Sequence, residues 1–476
     1  MSNEKGQEIY DATAIEATLV RKINWTAIPL LNIIQTIQII DKAMLSYSAM
    51  LGIFRDTGTT IEQFGWLGAV FYIGYLVAQI PTSLAMQRFE ISKYLGLVLI
   101  GLGIVLGSTA LCKTFPQLLG ARILLGAFEA AVYPCIFLLI STLYRRSEQV
   151  IWFSSIFMTD ELAIIASSLI MYSLGYIDGA VGISAWQWGM ILWGSATVVV
   201  GLVAFFFLPD KPTSRWFRLS PIERKVVEDR IRDNTVVRDT TFKWTHVRET
   251  ISEPRFYSYL VVSVCINLLN GCFTVFQSQI VSDMGFTVCY LDLDALLLNI
   301  PPTITDMAIM ALAIWLSHRY SEVSYLAALF QLIPFAGIVL LLTLPSGGSQ
   351  LVGLYFAYCT APTYSFLFTS VSNNVAGYTK KIFYNASLVV AYSVGNFVGP
   401  LLILQQERPR YLSAMVTYAA AALLCSISFL CIRWDIVRRN QYREELRRTG
   451  ELPPTPENRQ ELDLTDKEDL NFVYRT

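Results

Sequence analysis

Seven ionisable residues stand in stretches otherwise apolar: Asp41 and Lys42, Arg122 and Glu129, Asp160 and Glu161, and Asp306. A charge placed in hydrocarbon costs roughly 2.5 to 3.5 kcal/mol on insertion scales, so such residues turn inward and find partners. Arg122 and Glu129 are seven residues apart, which sets both on one helical face with Gly126 between them and about 10 Å between their levels. The chemistry this offers is ionic. Arg122 with Lys42 attracts an anion, while Glu129 or Asp41 carries a proton whose binding changes when the anion competes for the cation. The same residues also fit static intramembrane pairs that only orient helices. For Asp160, Glu161 and Asp306 the spacing assigns no role.

The elements that must position these residues follow from composition. The 476 residues are 54% hydrophobic and only 15% charged, with a mean hydropathy of +0.47. Soluble chains carry about 25% charged residues, so this is a polytopic membrane protein, all-α. A window of about twenty residues, the length that crosses roughly 30 Å of hydrocarbon, marks twelve spans at 23–48, 65–87, 94–112, 117–143, 150–175, 188–208, 256–281, 291–316, 323–344, 350–373, 383–404 and 411–432. They form two sets of six around a charged middle. The expected organisation is a cytoplasmic tail (1–22), a six-helix bundle (23–208), a cytoplasmic loop (209–254), a second six-helix bundle (255–432) and a disordered cytoplasmic tail (433–476). Within the loop, Ser220-Pro221-x-Glu223 reads as a capped helix start leading to about Arg232. With both termini inside, the inner segments hold 30 lysines and arginines and the outer loops only Arg55, Lys113, Arg408 and Arg410, so positive charge lies on the cytoplasmic side. The polar N-terminus, Met1 to Thr18, has no signal-peptide pattern.

Three spans carry polar stripes at helical spacing: Tyr72, Tyr75 and Gln79 in span 2; Asn267, Asn270, Thr274 and Gln277 in span 7; Asn385, Tyr392 and Asn396 in span 11. Such faces line a wet cavity or tie helices together through hydrogen bonds worth about 0.6 kcal/mol each. The glycines of Gly101-Leu-Gly103-Ile-Val-Leu-Gly107, and Gly395 and Gly399, read as close-packing surfaces. The 8 cysteines include no C-x-x-C pair, and His246 and His318 are the only histidines, so neither a metal site nor a nucleophile with its base is visible. The expectation is a protein that is not an enzyme and uses no cofactor. A formal net charge of -1 excludes a nucleic-acid partner.

Beyond composition, the runs Ile40-Asp41-Lys42-Ala-Met-Leu45-Ser46, Arg122-Ile-Leu-Leu-Gly126-Ala-Phe-Glu129-Ala-Ala-Val-Tyr-Pro134, Phe207-Leu208-Pro209-Asp210-Lys-Pro212, and Asn374-Val-Ala376-Gly377-Tyr-Thr379-Lys380-Lys381 with Gly395-Asn396-Phe-Val-Gly399-Pro400 resemble the fungal allantoate permease family, anion:cation symporters within the major facilitator superfamily. The resemblance covers about Arg21 to Arg439. It implies a transporter in which two bundles alternate access to a midplane site, taking up allantoate, nicotinate, pantothenate or a similar carboxylate together with protons. By matching position it implies that Asp41 and Glu129 handle the proton and that Lys42 and Arg122 are the cationic pair. Tyr75, Asn267, Asn270, Gln277, Tyr392 and Asn396 complete the expected substrate site. Lys42 stands where the wider branch often has arginine, only Arg88 and Lys93 remain of the usual basic motif between spans 2 and 3, and Asp160-Glu161 replaces residues generally uncharged. The expected setting is a monomer in the plasma membrane. Rival readings are a drug/proton antiporter, opposed by the absence of proline from span 5, and a nutrient receptor that does not transport.

Overall fold

Among the described residues of the computed structural model, twelve helices are long and apolar enough to cross a membrane. They are span 1 (Thr18–Met50), span 2 (Ile61–Arg88), span 3 (Ile91–Thr109), span 4 (Phe115–Leu143), span 5 (Ser155–Gly175), span 6 (Ala185–Phe207), span 7 (Pro254–Asp283), span 8 (Ala295–Tyr320), span 9 (Val323–Thr343), span 10 (Gly348–Asn374), span 11 (Tyr378–Leu401) and span 12 (Leu412–Thr449). The structure describes residues 16, 18–144, 146–211, 213–217, 219–220, 223–224, 227, 243–285, 294–320, 322–345, 347–450 and 464–476, and among these there is no strand. Large apolar side chains such as Leu97, Ile104, Val199, Leu329 and Ile427 point outward. On a soluble protein so much exposed apolar surface would drive association; on these helices it is the face that meets lipid.

The chain divides into two units. Unit 1 comprises Met1–Met44 and Ile73–Val236, and unit 2 comprises Leu45–Tyr72 and Val237–Thr476. The division differs from the expected bundles because the end of span 1 and the start of span 2 pack with unit 2. Ser46 Oγ lies 3.1 Å from Ser278 Oγ of span 7, and a Cβ on Gly65 would lie 2.9 Å from the Pro400 carbonyl oxygen.

Small residues let the backbones approach. In unit 1 a Cβ on Gly103 would stand 2.6 Å from the Gly194 carbonyl oxygen, so spans 3 and 6 touch main chain to main chain. In unit 2 a Cβ on Gly395 would stand 2.7 Å from the Asn267 Cβ, which brings spans 7 and 11 equally close. The core of unit 2 is apolar and aromatic, built on Phe256, Tyr259, Leu367, Tyr384, Cys425 and Phe429.

Among the described residues four spans are interrupted: span 1 at Ala27, span 8 between Asp294–Leu297 and Ile300–Tyr320, and spans 4 and 10 further along their lengths. Span 4 breaks between the helices Phe115–Glu129 and Val132–Leu143, and span 10 between Gly348–Ala357 and Ala361–Asn374. Proline has no amide hydrogen and its ring crowds the carbonyl four residues earlier. Counting back four from Pro134 and Pro362 reaches Ala130 and Tyr358, where the helices end.

The expectation of a disordered tail is corrected for the described part of 433–476. Span 12 has 38 residues, about 57 Å at 1.5 Å per residue, and so continues well past the hydrocarbon. Residues 464–476 then fold back against unit 2, with Thr465 and Asp466 wholly buried. In the central loop, Ser220 and Glu223 exchange the two bonds of a capping box, at 2.7 and 3.2 Å, as expected of a capped start. Most of the helix expected to follow lies outside the described residues.

Candidate functional site

In unit 1 the residues predicted to do ionic chemistry converge. Lys42 Nζ lies 2.6 Å from Glu129 Oε1, and Gln38 Nε2 donates to the same oxygen at 2.8 Å. Asp41 is buried beside them, accepting from Thr197 Oγ1 at 3.4 Å, and Arg122 is buried on the helix that carries Glu129. Glu129 is the last residue of the first half of span 4. A helix C-terminus bears partial negative charge, so a carboxylate there needs a cation, and Lys42 supplies it. The Glu129 side chain keeps only 2% exposure while Lys42 keeps 15%. An incoming anion therefore reaches the cation more readily than it reaches the carboxylate.

The network extends through residues that the reading of charges passed over. Gln35 Nε2 donates to Asp160 Oδ1 at 2.6 Å, and the Tyr133 hydroxyl donates to Asp160 Oδ2 at 3.0 Å. The Tyr133 ring centroid is 5.7 Å from the Lys42 ammonium, a cation–π distance. Asp160 is thereby tied to the Lys42–Glu129 pair. A signal for this was present in the sequence: Gln35, Gln38 and Lys42 are spaced i, i+3, i+7 along span 1, one more polar stripe on a helical face.

The residues predicted in unit 2 behave differently. Asn270 Nδ2 donates to Asn396 Oδ1 at 2.9 Å, Asn396 Nδ2 donates to Asn267 Oδ1 at 3.0 Å, and Asn267 Nδ2 donates to the Ser263 carbonyl at 2.7 Å. These amides bind spans 7 and 11 to each other. Gln277 is buried with no partner for its Nε2. Tyr392 packs edge-on to Tyr72, with centroids 5.8 Å apart, and beside Tyr364 at 6.3 Å. Tyr75 belongs to unit 1, where it is buried. Asp306, buried in span 8, lies near the backbone N–H of Ala361, the first residue of the second half of span 10, and its Oδ1 has no hydrogen-bond partner among the described residues. It lies near a helix N-terminus, where a carboxylate is favoured.

Twelve apolar helices among the described residues, two of them broken near buried carboxylates, define a polytopic membrane protein. Residues 31–402 match the model of the Major Facilitator Superfamily, and the chain belongs to that family. It is 31% identical over 463 residues to an uncharacterised transporter of Schizosaccharomyces pombe, covering 96% of this chain and 89% of that protein. It is 27% identical over 493 residues to the allantoate permease of Saccharomyces cerevisiae, covering 99% and 88%. Among solved structures, a bacterial homologue of the human lysosomal transporter Spinster, inward-facing and occupied, aligns with a TM-score of 0.67 at 14% identity, covering 85% of this chain and 96% of that one. The protein is thus a multi-pass membrane transporter and not an enzyme, and its fold is the major facilitator fold.

Proposed function

We propose that the protein takes up a small organic anion, a carboxylate of the allantoate, nicotinate or pantothenate kind, together with protons, across the plasma membrane with both termini in the cytoplasm. The observation that carries this is the Lys42–Glu129 pair at 2.6 Å, its carboxylate buried and its ammonium partly exposed, beside the buried Asp41 and Arg122. A substrate carboxylate that takes Lys42 leaves Glu129 at a helix C-terminus without its cation, and Glu129 then holds a proton. Loading of anion and proton are thus linked through one ammonium group. Asp41 supplies the second acid, and Asp160 holds Tyr133 against Lys42. The partly buried Tyr392 and the unpaired amide of Gln277 are assigned to the substrate, with Tyr75, Asn267, Asn270 and Asn396 in supporting positions. Similarity to a permease whose name specifies allantoate supports the carboxylate class.

The test is uptake of radiolabelled allantoate, nicotinate and pantothenate into sealed vesicles with an imposed pH gradient, acid outside. Accumulation of one of them that collapses with a protonophore supports the proposal. Accumulation unaffected by the gradient contradicts proton coupling, and accumulation of cationic or neutral compounds alone contradicts the anion assignment.

A further inference from the structure

The last described stretch of the chain, residues 464–476, occupies a built site on unit 2 where spans 7, 9 and 11 begin and span 10 ends. Three carboxylates, one guanidinium and one ammonium meet there away from water. Arg255 Nη2 lies 2.8 Å from Asp466 and 3.1 Å from Glu253; Lys380 Nζ lies 2.9 Å from Asp466, 2.7 Å from Glu253 and 2.6 Å from Glu249. Arg255 and Lys380 are fully buried. Asp466 is the one member of this group that the tail contributes.

The rest of the site reads main chain. Asn374 donates to the Arg475 carbonyl at 2.9 Å and accepts from the Arg475 N–H at 2.7 Å. Asn440 does the same with Tyr474, at 2.9 and 3.1 Å. The Thr476 carbonyl oxygen accepts from the N–H groups of Val323 and Ser324, the first two residues of span 9, at 2.7 and 3.1 Å. Arg443, on the extension of span 12, donates to the carbonyls of Phe472 and Asp466. Thr465 donates to Glu249 at 3.0 Å and caps its own turn with Glu468. Gly377 makes room: its φ is +89°, and a Cβ there would stand 3.2 Å from the Thr465 methyl carbon.

We propose that this surface is a reversible docking site for residues 464–476 of the same chain, and that docking ties together the ends of spans 7, 9, 10 and 11 and so brakes the rearrangement of this bundle during transport. Reversibility follows from the charges. Without Asp466, Arg255 keeps Glu253 and Lys380 keeps Glu249 and Glu253, so two cations still face two carboxylates. A vacated site strands no buried charge, which is the usual penalty for breaking a buried ion pair. The bridging follows from the contacts, because the segment bonds to residues of all four helix ends at once. On the proposed topology this end of unit 2 faces the cytoplasm. The inference rests on the family's transport function and not on the substrate assigned above.

The test is amide hydrogen exchange on the full chain in lipid nanodiscs, comparing wild type with Asp466→Asn and Asn440→Ala. Asn440 sits on the helix beyond the membrane, so its replacement leaves the bundle intact. In wild type the bonded amides of Asp469, Phe472, Tyr474 and Arg475 are expected to exchange at least about 100-fold slower than in a free chain, and each variant to lose about tenfold or more of that protection. Both variants should also speed exchange at the starts of spans 7 and 11 by about threefold. A wild-type segment exchanging as fast as a free chain overturns the docking. A released segment that leaves the helix ends unchanged overturns the brake. Neither readout uses a transported substrate, so failure of the organic-anion reading leaves this test standing.

Discussion

The two units solve the same problem, a broken helix with a buried carboxylate beside it, in opposite ways. In unit 1 the break in span 4 leaves Glu129 at a helix C-terminus, where backbone dipoles oppose it and Lys42 compensates at 2.6 Å. In unit 2 the break in span 10 offers a helix N-terminus, and Asp306 lies near it, beside the Ala361 N–H. The first carboxylate depends on a cation that a substrate can take away; the second sits near the dipoles of a helix N-terminus, which nothing displaces. Exchangeable charge therefore belongs to unit 1. Unit 2 holds its spans together with amides and keeps its ion pairs at the helix ends.

Substitutions can break this contrast. Lys42→Ala leaves Glu129 buried with Gln38 as its hydrogen-bond partner, and breaking a buried pair costs about 3 to 5 kcal/mol. Uptake should fall by at least about 100-fold in Lys42→Ala and in Arg122→Ala, measured as initial flux per surface-expressed protein. Asn396→Ala removes bonds to Asn267 and Asn270. It should lower the melting temperature by a few degrees, about 1 kcal/mol of interhelical bonding, and leave the pH profile of transport unmoved. A changed pH profile would mean that the amide cluster takes part in the coupling.

A smaller effect is expected from Asp306→Asn. The amide still presents an oxygen dipole to the helix N-terminus at Ala361, so uptake should stay within about threefold of wild type. A loss as deep as that of Lys42→Ala would place essential charge in both units and end the contrast. The smallest expected effect is none at all. Burial opposes ionisation of Asp466, but Arg255 and then Lys380 outweigh it and hold the carboxyl at about 2. A folded-state value depressed in this way stabilises docking above the unfolded value, about 3.9, and the benefit is lost as pH falls through the folded one. Tail protection measured by hydrogen exchange, corrected for intrinsic rates, should be flat from about pH 5 to 8 and decline only below about 4. A decline near pH 6 would show that another group governs docking.

Much of this was legible in the sequence, for physical reasons. Apolar runs of twenty residues admit one solution in lipid, so the twelve spans and their two sets of six could be counted. Arg122 and Glu129 could be set on one helical face because the helix period is fixed. The partners were harder. Gln35, Gln38 and Tyr133 carry no charge, and polar side chains in a span reveal their use only when the facing helix is known. For the same reason the asparagines of spans 7 and 11 could not be divided between cavity lining and helix pairing. Asp306 had no readable role, since what lies near it is the main chain of another span. The described part of the tail departs from its expected disorder although its composition is polar and charged. What orders it is the pair of buried cations, Arg255 and Lys380, more than 80 residues away in sequence.

The central claim, that Glu129 carries the coupled proton because Lys42 can be taken from it, is tested most directly in Glu129→Gln. Two fluxes should be measured in the same vesicles across pH 5 to 8: substrate exchange at equal concentrations on both sides, and net uptake driven by a pH gradient. Exchange that persists and no longer varies with pH, with gradient-driven accumulation abolished, is the predicted result. Accumulation that keeps its wild-type pH dependence in this variant contradicts the account.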